Sequence, residues 1–337
     1  FFVSHTVHRQ WEAQVADLIG EPGFRESFAP YGRAPLPGER FVCPGQADSL
    51  ERIAASKGDD FYGGRIAAAI ANHARRTGGL MTESDLAAHR SEWVEPIGIR
   101  YRDLELQEIG PNGQGVAALI ALGILEHFDL QAIGTESALG AHLQIEAMKL
   151  AFADLHEYVG DPAHMKAVTL SNLLDPSYLA LRAKLIDPSR AVRHRHGKPY
   201  SGGTVYLTTA DTSGMMVSYI QSNYRGFGSG IVVPGTGIAM HNRGAGFNLR
   251  TGHLNEVAPA KRPFHTIIPA FLMRDGKPLA SFGVMGASIQ PQGHVQLTSR
   301  IADQGLNAQA SMDAPRWRVL DDNQQLSVEW NTPPAIV

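Results

Sequence analysis

Thr204 follows Gly202-Gly203 at the point where a stretch without apolar period, Asp187 to Gly203, gives way to an alternating one. Two glycines permit the unusual dihedrals of a strained peptide bond. The Thr204 hydroxyl can then attack the Gly203 carbonyl in an N→O acyl shift, which breaks the C–N bond and frees the Thr204 α-amine, and hydrolysis of the ester separates the two chains. Such an amine, with an unperturbed pKa of about 7.7–8.0, is partly unprotonated near neutral pH, so one residue supplies both nucleophile and base. Asp211-Thr212-Ser213-Gly214 separates two strand candidates, Thr204 to Ala210 and Met215 to Ser222. Counting a four-residue loop pairs Ala210 with Met215 and sets Thr204 opposite Gln221, beside Ser222. The Ser222 hydroxyl is then placed to hold the Thr204 rotamer. Thr is also common in strands and Ser222 could simply be solvated, so the residues alone leave both readings open.

The elements that must position these residues fall into two textures. Up to about Ile186 the chain reads as mostly helical. Two helices are expected in Leu50 to His73, broken at Gly58 and Gly63-Gly64, and a short one from the caps at Thr82-Glu83-Ser84-Asp85 to His89. Tyr101 to Ile109 reads as one strand. Val116 to Leu125 reads as a helix apolar almost all round and so buried, and Ala141 to Tyr158 as a helix with Leu143, Ala147, Leu150 and Phe152 near one face. The segment from Asp187 to Gly203, rich in Arg, His, Pro and Gly, reads as an exposed linker. Beyond it the pattern is β-rich, with a second hairpin at Ile267 to Met273 and Pro278 to Val284 around Asp275-Gly276, and a helix from Val295 to Gln304.

The whole chain narrows the partners. Its 337 residues are 43% hydrophobic, enough for a sizeable core, and 30 Lys+Arg against 33 Asp+Glu give a formal charge of −3. No global field favours nucleic acid or an anionic membrane, and no run is long enough to span a bilayer. A small-molecule or peptide substrate in a soluble protein is expected, cytoplasmic or periplasmic. The single cysteine, Cys43, excludes an internal disulfide and any cysteine-based metal cluster. Phe1-Phe2-Val3-Ser4 and Pro334-Ala335-Ile336-Val337 both read as cuts through a longer polypeptide.

Several separated stretches, in order and spacing, resemble the γ-glutamyltransferase family over nearly the whole chain. They are Phe61-Tyr62-x-Gly64-x-Ile66-Ala67, Gly78-Gly79-Leu80-Met81-Thr82, Glu95-Pro96-Ile97 with Tyr101-Arg102, and Glu146-Ala147-x-Lys149-x-Ala151-Phe152-Ala153-Asp154. Further on come Val217-Ser218, Phe227-Gly228-Ser229-Gly230, Pro234-x-x-Gly237-Ile238, Lys261-Arg262-Pro263 and Asp313-Ala314-Pro315-Arg316. The resemblance implies an α+β fold, the four-layer αββα sandwich of N-terminal-nucleophile hydrolases, here truncated at both ends. One precursor would be cut between Gly203 and Thr204 into two subunits. Residues 1–203, with linker 187–203, would be the C-terminal part of the large subunit, and 204–337 the small subunit. A homodimer of such heterodimers is a further expectation. The nucleophile position falls on Thr204, its supporting hydroxyl on Ser222, and the oxyanion-hole pair, Gly-Gly in the family, on Gly286-Ala287. Tyr224 falls in the substrate-binding set. The implied activity is hydrolysis or transfer of γ-glutamyl amides such as glutathione, or of related acyl amides, with no cofactor.

Two departures bear on substrate. The family's amine-binding carboxylate position is Gly246, within His241-Asn242-Arg243-Gly244-Ala245-Gly246-Phe247, and its Ser-Ser pair for the α-carboxylate is His265-Thr266. Losing a paired carboxylate removes a charge-assisted bond, while Arg243, if it points inward, would suit an anionic donor such as a dicarboxylic-acid monoamide. A member that folds but no longer catalyses is the alternative. His142-x-x-x-Glu146 has helical metal-ligand spacing without a third ligand. His194 and His196 sit in the linker, and Gly228-Ser229-Gly230 lacks the first glycine of a nucleophile elbow.

Overall fold

The computed structural model describes residues 1–166, 168–192, 203–320 and 324–337. In chain order the helices α1 (His5–Leu18), α2 (Pro22–Phe28), α3 (Pro44–Ser56), α4 (Asp59–Gly63), α5 (Arg65–Arg76) and α6 (Glu83–Ala88) come first. Strands β1 (Ile97–Tyr101) and β2 (Leu104–Glu108) follow, then α7 (Gly115–Leu125), α8 (Leu130–Ile133), α9 (Ala138–Tyr158), α10 (Leu170–Leu173) and α11 (Pro176–Ala183). The second half carries β3 (Gly203–Ala210), β4 (Met216–Tyr224), β5 (Val232–Val233), β6 (Ile238–Ala239), β7 (Ala270–Arg274) and β8 (Lys277–Phe282). It ends with α12 (Ile289–Gln304), α13 (Ala308–Asp313), β9 (Trp317–Val319) and β10 (Leu326–Val328).

These elements form two compact units, one of Phe1–Trp93 with Asn223–Asn242, the other of Val94–Ser222 with Arg243–Val337. Each unit draws on chain from both sides of Thr204. In the first, the rings of Trp11, Phe24, Phe28 and Phe227 meet edge-on or tilted, and Ile66 and Ile70 of α5 pack with Val233. Three helices, α3 to α5, occupy the stretch in which two were expected, because Gly58 and Gly64 each break the run. Thr82 and Asp85 exchange hydrogen bonds as a capping box on α6.

The second unit is built on an antiparallel sheet ordered β1-β2-β7-β8. Tyr101 to Ile109, read as one strand, holds β2, while Tyr101 itself ends β1: Arg102 takes φ 56° and turns the chain between Tyr101 and Leu104. Asp275 (φ 50°) and Gly276 (φ 72°) both lie in the left-handed region, which a two-residue hairpin turn requires. One face of the sheet, with Leu106, Ala270 and Phe282, packs against α7, α9 and α12. Every residue of α7 is buried, as an all-round apolar helix must be.

Helix α12 begins six residues before the expected Val295, at Ile289. Pro291 is tolerated there because the first turn has no intrahelical partner for its missing N–H. The buried amides of Gln292 and Gln296 each bond both the N–H and the C=O of a β9 residue, Val319 and Trp317 respectively. Two glutamines thus complete the backbone pairing of an edge strand.

Hairpin β3–β4 lies on the opposite face of the sheet. Thr208 and Ser281 hydroxyls are bonded to one another, and Ser218 Oγ donates to the Ala270 carbonyl at 3.1 Å. Helices, sheet and hairpin make three successive layers of a mixed α+β fold. On the hairpin's outer side Val205, Leu207, Val217 and Tyr219 are exposed, so among the described residues no second helical layer covers it. No helix of the described residues is long and apolar enough to cross a membrane.

Candidate active site

Gly203 opens β3, and Thr204 is its second residue. The turn that closes the hairpin is one residue shorter than counting suggested. The Asp211 N–H donates to the Met215 carbonyl at 3.0 Å and the Gly214 N–H to the Asp211 carbonyl at 3.1 Å, with Gly214 at φ 87°. This is a three-residue loop whose last member takes the left-handed conformation. The Asp211 carboxylate accepts the Ser213 hydroxyl and the N–H groups of Ser213 and Met215, which holds it below its ordinary value. Continuing the alignment down the ladder sets Ala210 opposite Met216 and Thr204 opposite Ser222 rather than Gln221. The Thr204 hydroxyl donates to Ser222 Oγ at 3.3 Å.

The same strand is staggered along β8. Thr208 stands by Ser281, and the Tyr206 ring fills the space a Cβ on Gly283 would need. Gly286 and Ala287 follow just beyond the end of β8 at Phe282. Gly286 has φ 116° and Ala287 φ 57°. For an alanine the left-handed conformation costs about 1–2 kcal/mol, so the turn is held by its surroundings. The Ile289 and Gln290 N–H groups bond the carbonyls of Gly286 and Ala287 at 3.4 and 3.2 Å, and α12 starts directly after it. A backbone reversal at the N-terminus of a 16-residue helix offers N–H groups and the positive end of the helix dipole to an anion.

Behind this turn lies the segment Pro263 to Thr266. Arg243, 5% exposed, sits in a 3-10 turn from Arg243 to Gly246 and donates through Nη1 to the Thr266 hydroxyl at 2.6 Å. The His265 N–H donates to Asn112 O at 3.0 Å, and its Nδ1 accepts the Ile267 N–H at 3.3 Å. The Gly246 carbonyl accepts from Asn255 Nδ2 at 2.5 Å, and a Cβ on Gly246 would overlap the Phe264 carbonyl oxygen. Asp161 holds the segment's start: its carboxylate accepts the Arg262 N–H at 2.8 Å and the Ala163 N–H at 3.1 Å. Burial pushes this carboxyl up, and the two N–H groups outweigh it, so it sits below the ordinary aspartate value.

Two polar residues of this region escape a reading by motif. Asn112 Nδ2 donates to the Pro263 carbonyl at 2.6 Å. Gln114 Nε2 donates both to the Thr266 carbonyl, at 2.6 Å, and to the Ala287 carbonyl, at 2.9 Å. Their one visible signal is a polar Asn-Gly-Gln run directly before the most apolar helix of the chain. Thr204, Ser222, Gly286, Ala287, Arg243, Gly246, His265 and Thr266 all belong to the second unit, whereas Tyr224 ends β4 in the first, buried and at φ 77°. His142 Nε2 bonds the Asp187 carbonyl and Glu146 pairs with Lys149 at 2.6 Å. Among the described residues no three His, Cys, Asp or Glu side chains gather as a metal site. His194, His196 and Gly202 lie outside the described residues.

A family model described as gamma-glutamyltranspeptidase matches residues 1–337. The chain belongs to the γ-glutamyltranspeptidase family. It is 37% identical over 317 residues to the glutathione hydrolase-like YwrD proenzyme of Bacillus subtilis, covering 94% of this chain and 60% of that protein. It is 38% identical over 306 residues to the oxamate amidohydrolase proenzyme of Klebsiella pneumoniae, covering 90% and 57%. Among solved structures, a cephalosporin acylase from Bacillus halodurans matches all of this chain and 62% of its own, with a TM-score of 0.94 at 45% identity. The chain therefore spans about 60% of the length of these γ-glutamyltranspeptidase relatives.

Proposed function

We propose that this chain is the greater part of a self-processing amidohydrolase or acyltransferase in which Thr204, freed by cleavage after Gly203, forms the acyl-enzyme. The observation that carries the reading is the Thr204–Ser222 hydroxyl pair at 3.3 Å, with the left-handed Gly286-Ala287 turn taken as its oxyanion site. The Thr204 amine takes the hydroxyl proton as Oγ1 attacks the donor carbonyl. Ser222 Oγ accepts in the resting pair and fixes the rotamer. The Gly286 and Ala287 N–H groups receive the oxyanion. Collapse expels the amine, which leaves with the proton from the Thr204 ammonium, and water or a second amine then takes the acyl group.

The donor we favour is a dicarboxylic-acid monoamide. A carboxylate at Gly246 to hold an α-ammonium is missing, and any side chain there meets the Phe264 carbonyl. Arg243 and the Thr266 hydroxyl instead place a guanidinium and a donor side by side. The relatives named oxamate amidohydrolase and cephalosporin acylase agree with a donor other than a γ-glutamyl compound.

Glutaryl and γ-glutamyl p-nitroanilides, compared on the complete protein and on Thr204→Ala, test the reading. Thr204-dependent release with the glutaryl compound turned over at least as well supports it. A strong γ-glutamyl preference would return the protein to glutathione-type chemistry. Release unchanged in Thr204→Ala would remove the nucleophile, and no release by either protein would leave a binding or structural role.

A further inference from the structure

We infer that Gln114 is a positioning residue for acyl transfer, holding Ala287 in its left-handed conformation and tying it to the segment that carries Thr266. The inference rests on the functional reading above, which places the oxyanion donors at Gly286-Ala287.

Gln114 is 1% exposed, and Nε2 donates to two carbonyls, Thr266 at 2.6 Å and Ala287 at 2.9 Å. An amide NH2 has two protons, so both are committed. The two acceptors come from the two halves of the proposed site: the segment whose Thr266 bonds Arg243, and the Gly286-Ala287 turn. Gln114 stands at the N-cap position of the fully buried α7, and neighbouring Asn112 bonds His265 N–H and the Pro263 carbonyl.

Ala287 is the residue that needs such a hold. At φ 57° an L-residue lies outside its preferred regions, and without Gln114 its carbonyl loses one of its partners and keeps the Gln290 N–H, at 3.2 Å. Downstream the chain cannot yield. The Gln290 side chain accepts the Ile268 N–H, and Gln292 and Gln296 clasp β9. Relaxation of Ala287 is therefore taken up on its upstream side, where the Gly286 and Ala287 N–H groups would turn from the oxyanion position. Gly-Gly needs no clamp, because glycine takes the left-handed region freely. Gly286-Ala287 does.

The test uses the complete protein carrying Gln114→Met, which keeps the length and loses both donors, alone and combined with Ala287→Gly. Two quantities are read: kcat for p-nitroanilide release, and the backbone conformation of Ala287 in the crystal. Gln114→Met should lower kcat at least about tenfold, the scale of a misplaced oxyanion donor. That penalty should shrink at least about threefold in the Ala287→Gly background, because the two residues are coupled. Equal penalties in both backgrounds, or a Gln114→Met structure with Ala287 still left-handed, would overturn the inference. If Gln114→Met does not fold, Gln114→Glu keeps the shape with at most one donor and is judged by the same two readouts. Should the parent protein release nothing, the acyl-transfer reading fails by itself, and the conformation of residue 287 alone decides what Gln114 does.

Discussion

Thr204 and Ser222 face one another across the β3–β4 hairpin, the Thr204 hydroxyl donating to Ser222 Oγ at 3.3 Å. A contact that long is weak in the resting state and has room to tighten when a substrate carbonyl draws on Thr204. The complete protein is expected to part between Gly203 and Thr204, with the smaller fragment beginning at Thr204. Thr204→Ala should remain one chain on denaturing gels. Ser222→Ala should slow acyl transfer by about 10–1000-fold with little change in melting temperature. Unchanged turnover in Ser222→Ala would remove that hydroxyl from the chemistry.

Gly246 is set by packing rather than by donor charge. Since a Cβ would overlap the Phe264 carbonyl oxygen, Gly246→Asp cannot simply restore an amine-binding carboxylate. Even Gly246→Ala should cost about 1–3 kcal/mol of stability by overpacking, and denaturant midpoints would measure it. A Gly246→Ala protein as stable as the parent would show that the Pro263–Thr266 segment yields easily and that a carboxylate fits there after all.

The site was partly legible in the sequence, and the reason differs from residue to residue. Asp211-Thr212-Ser213-Gly214 announces a hairpin by its turn chemistry, and Val116 to Leu125 announces a buried helix by composition. Register was read one residue off because only the conformation of Gly214 tells a three-residue loop from a four-residue one. The start of α12 was hidden by Gln290-Pro291-Gln292-Gly293, whose amides make sense only against Val319 and Trp317 of a strand that follows the helix. Gln114 belongs to no catalytic type. Its partners lie more than a hundred residues away in sequence, so no local pattern reveals it.

Asp161 gives the fold a dependence on acid. Its carboxyl lies below the ordinary aspartate value, because the Arg262 and Ala163 N–H groups outweigh burial. A depressed folded-state pKa contributes stability that is present above the unfolded value and lost as pH falls through the folded one. Asp161→Asn should therefore destabilise by about 1–2 kcal/mol at neutral pH, and the gap should close as pH drops below the usual aspartate range of about 3.9. Thermal melts of both proteins from neutral to acid pH would read this. A gap that does not depend on pH would mean that the Asp161 charge plays no part in holding Arg262.

Glu108 and His294 form a pair with no exposure at either side chain, Oε1 to Nδ1 at 2.5 Å, joining the end of β2 to the first half of α12. Burial pushes the Glu108 carboxyl up, and the histidine works against that push. His294→Leu removes the opposing influence while filling the space, so Glu108 stays protonated to higher pH than it does beside His294. The unfolded chain ionises near its ordinary value of about 4.3. Above that pH the folded variant binds more protons than the unfolded one, and stability falls as pH rises. Breaking a buried pair by removing one partner typically costs about 3–5 kcal/mol. The loss in His294→Leu should be smallest in acid and grow toward neutral pH, and adding Glu108→Gln to His294→Leu should flatten that slope. Denaturant titrations at a series of pH values separate the cases. A His294→Leu protein whose destabilisation is the same at every pH would show that the pair contributes packing alone.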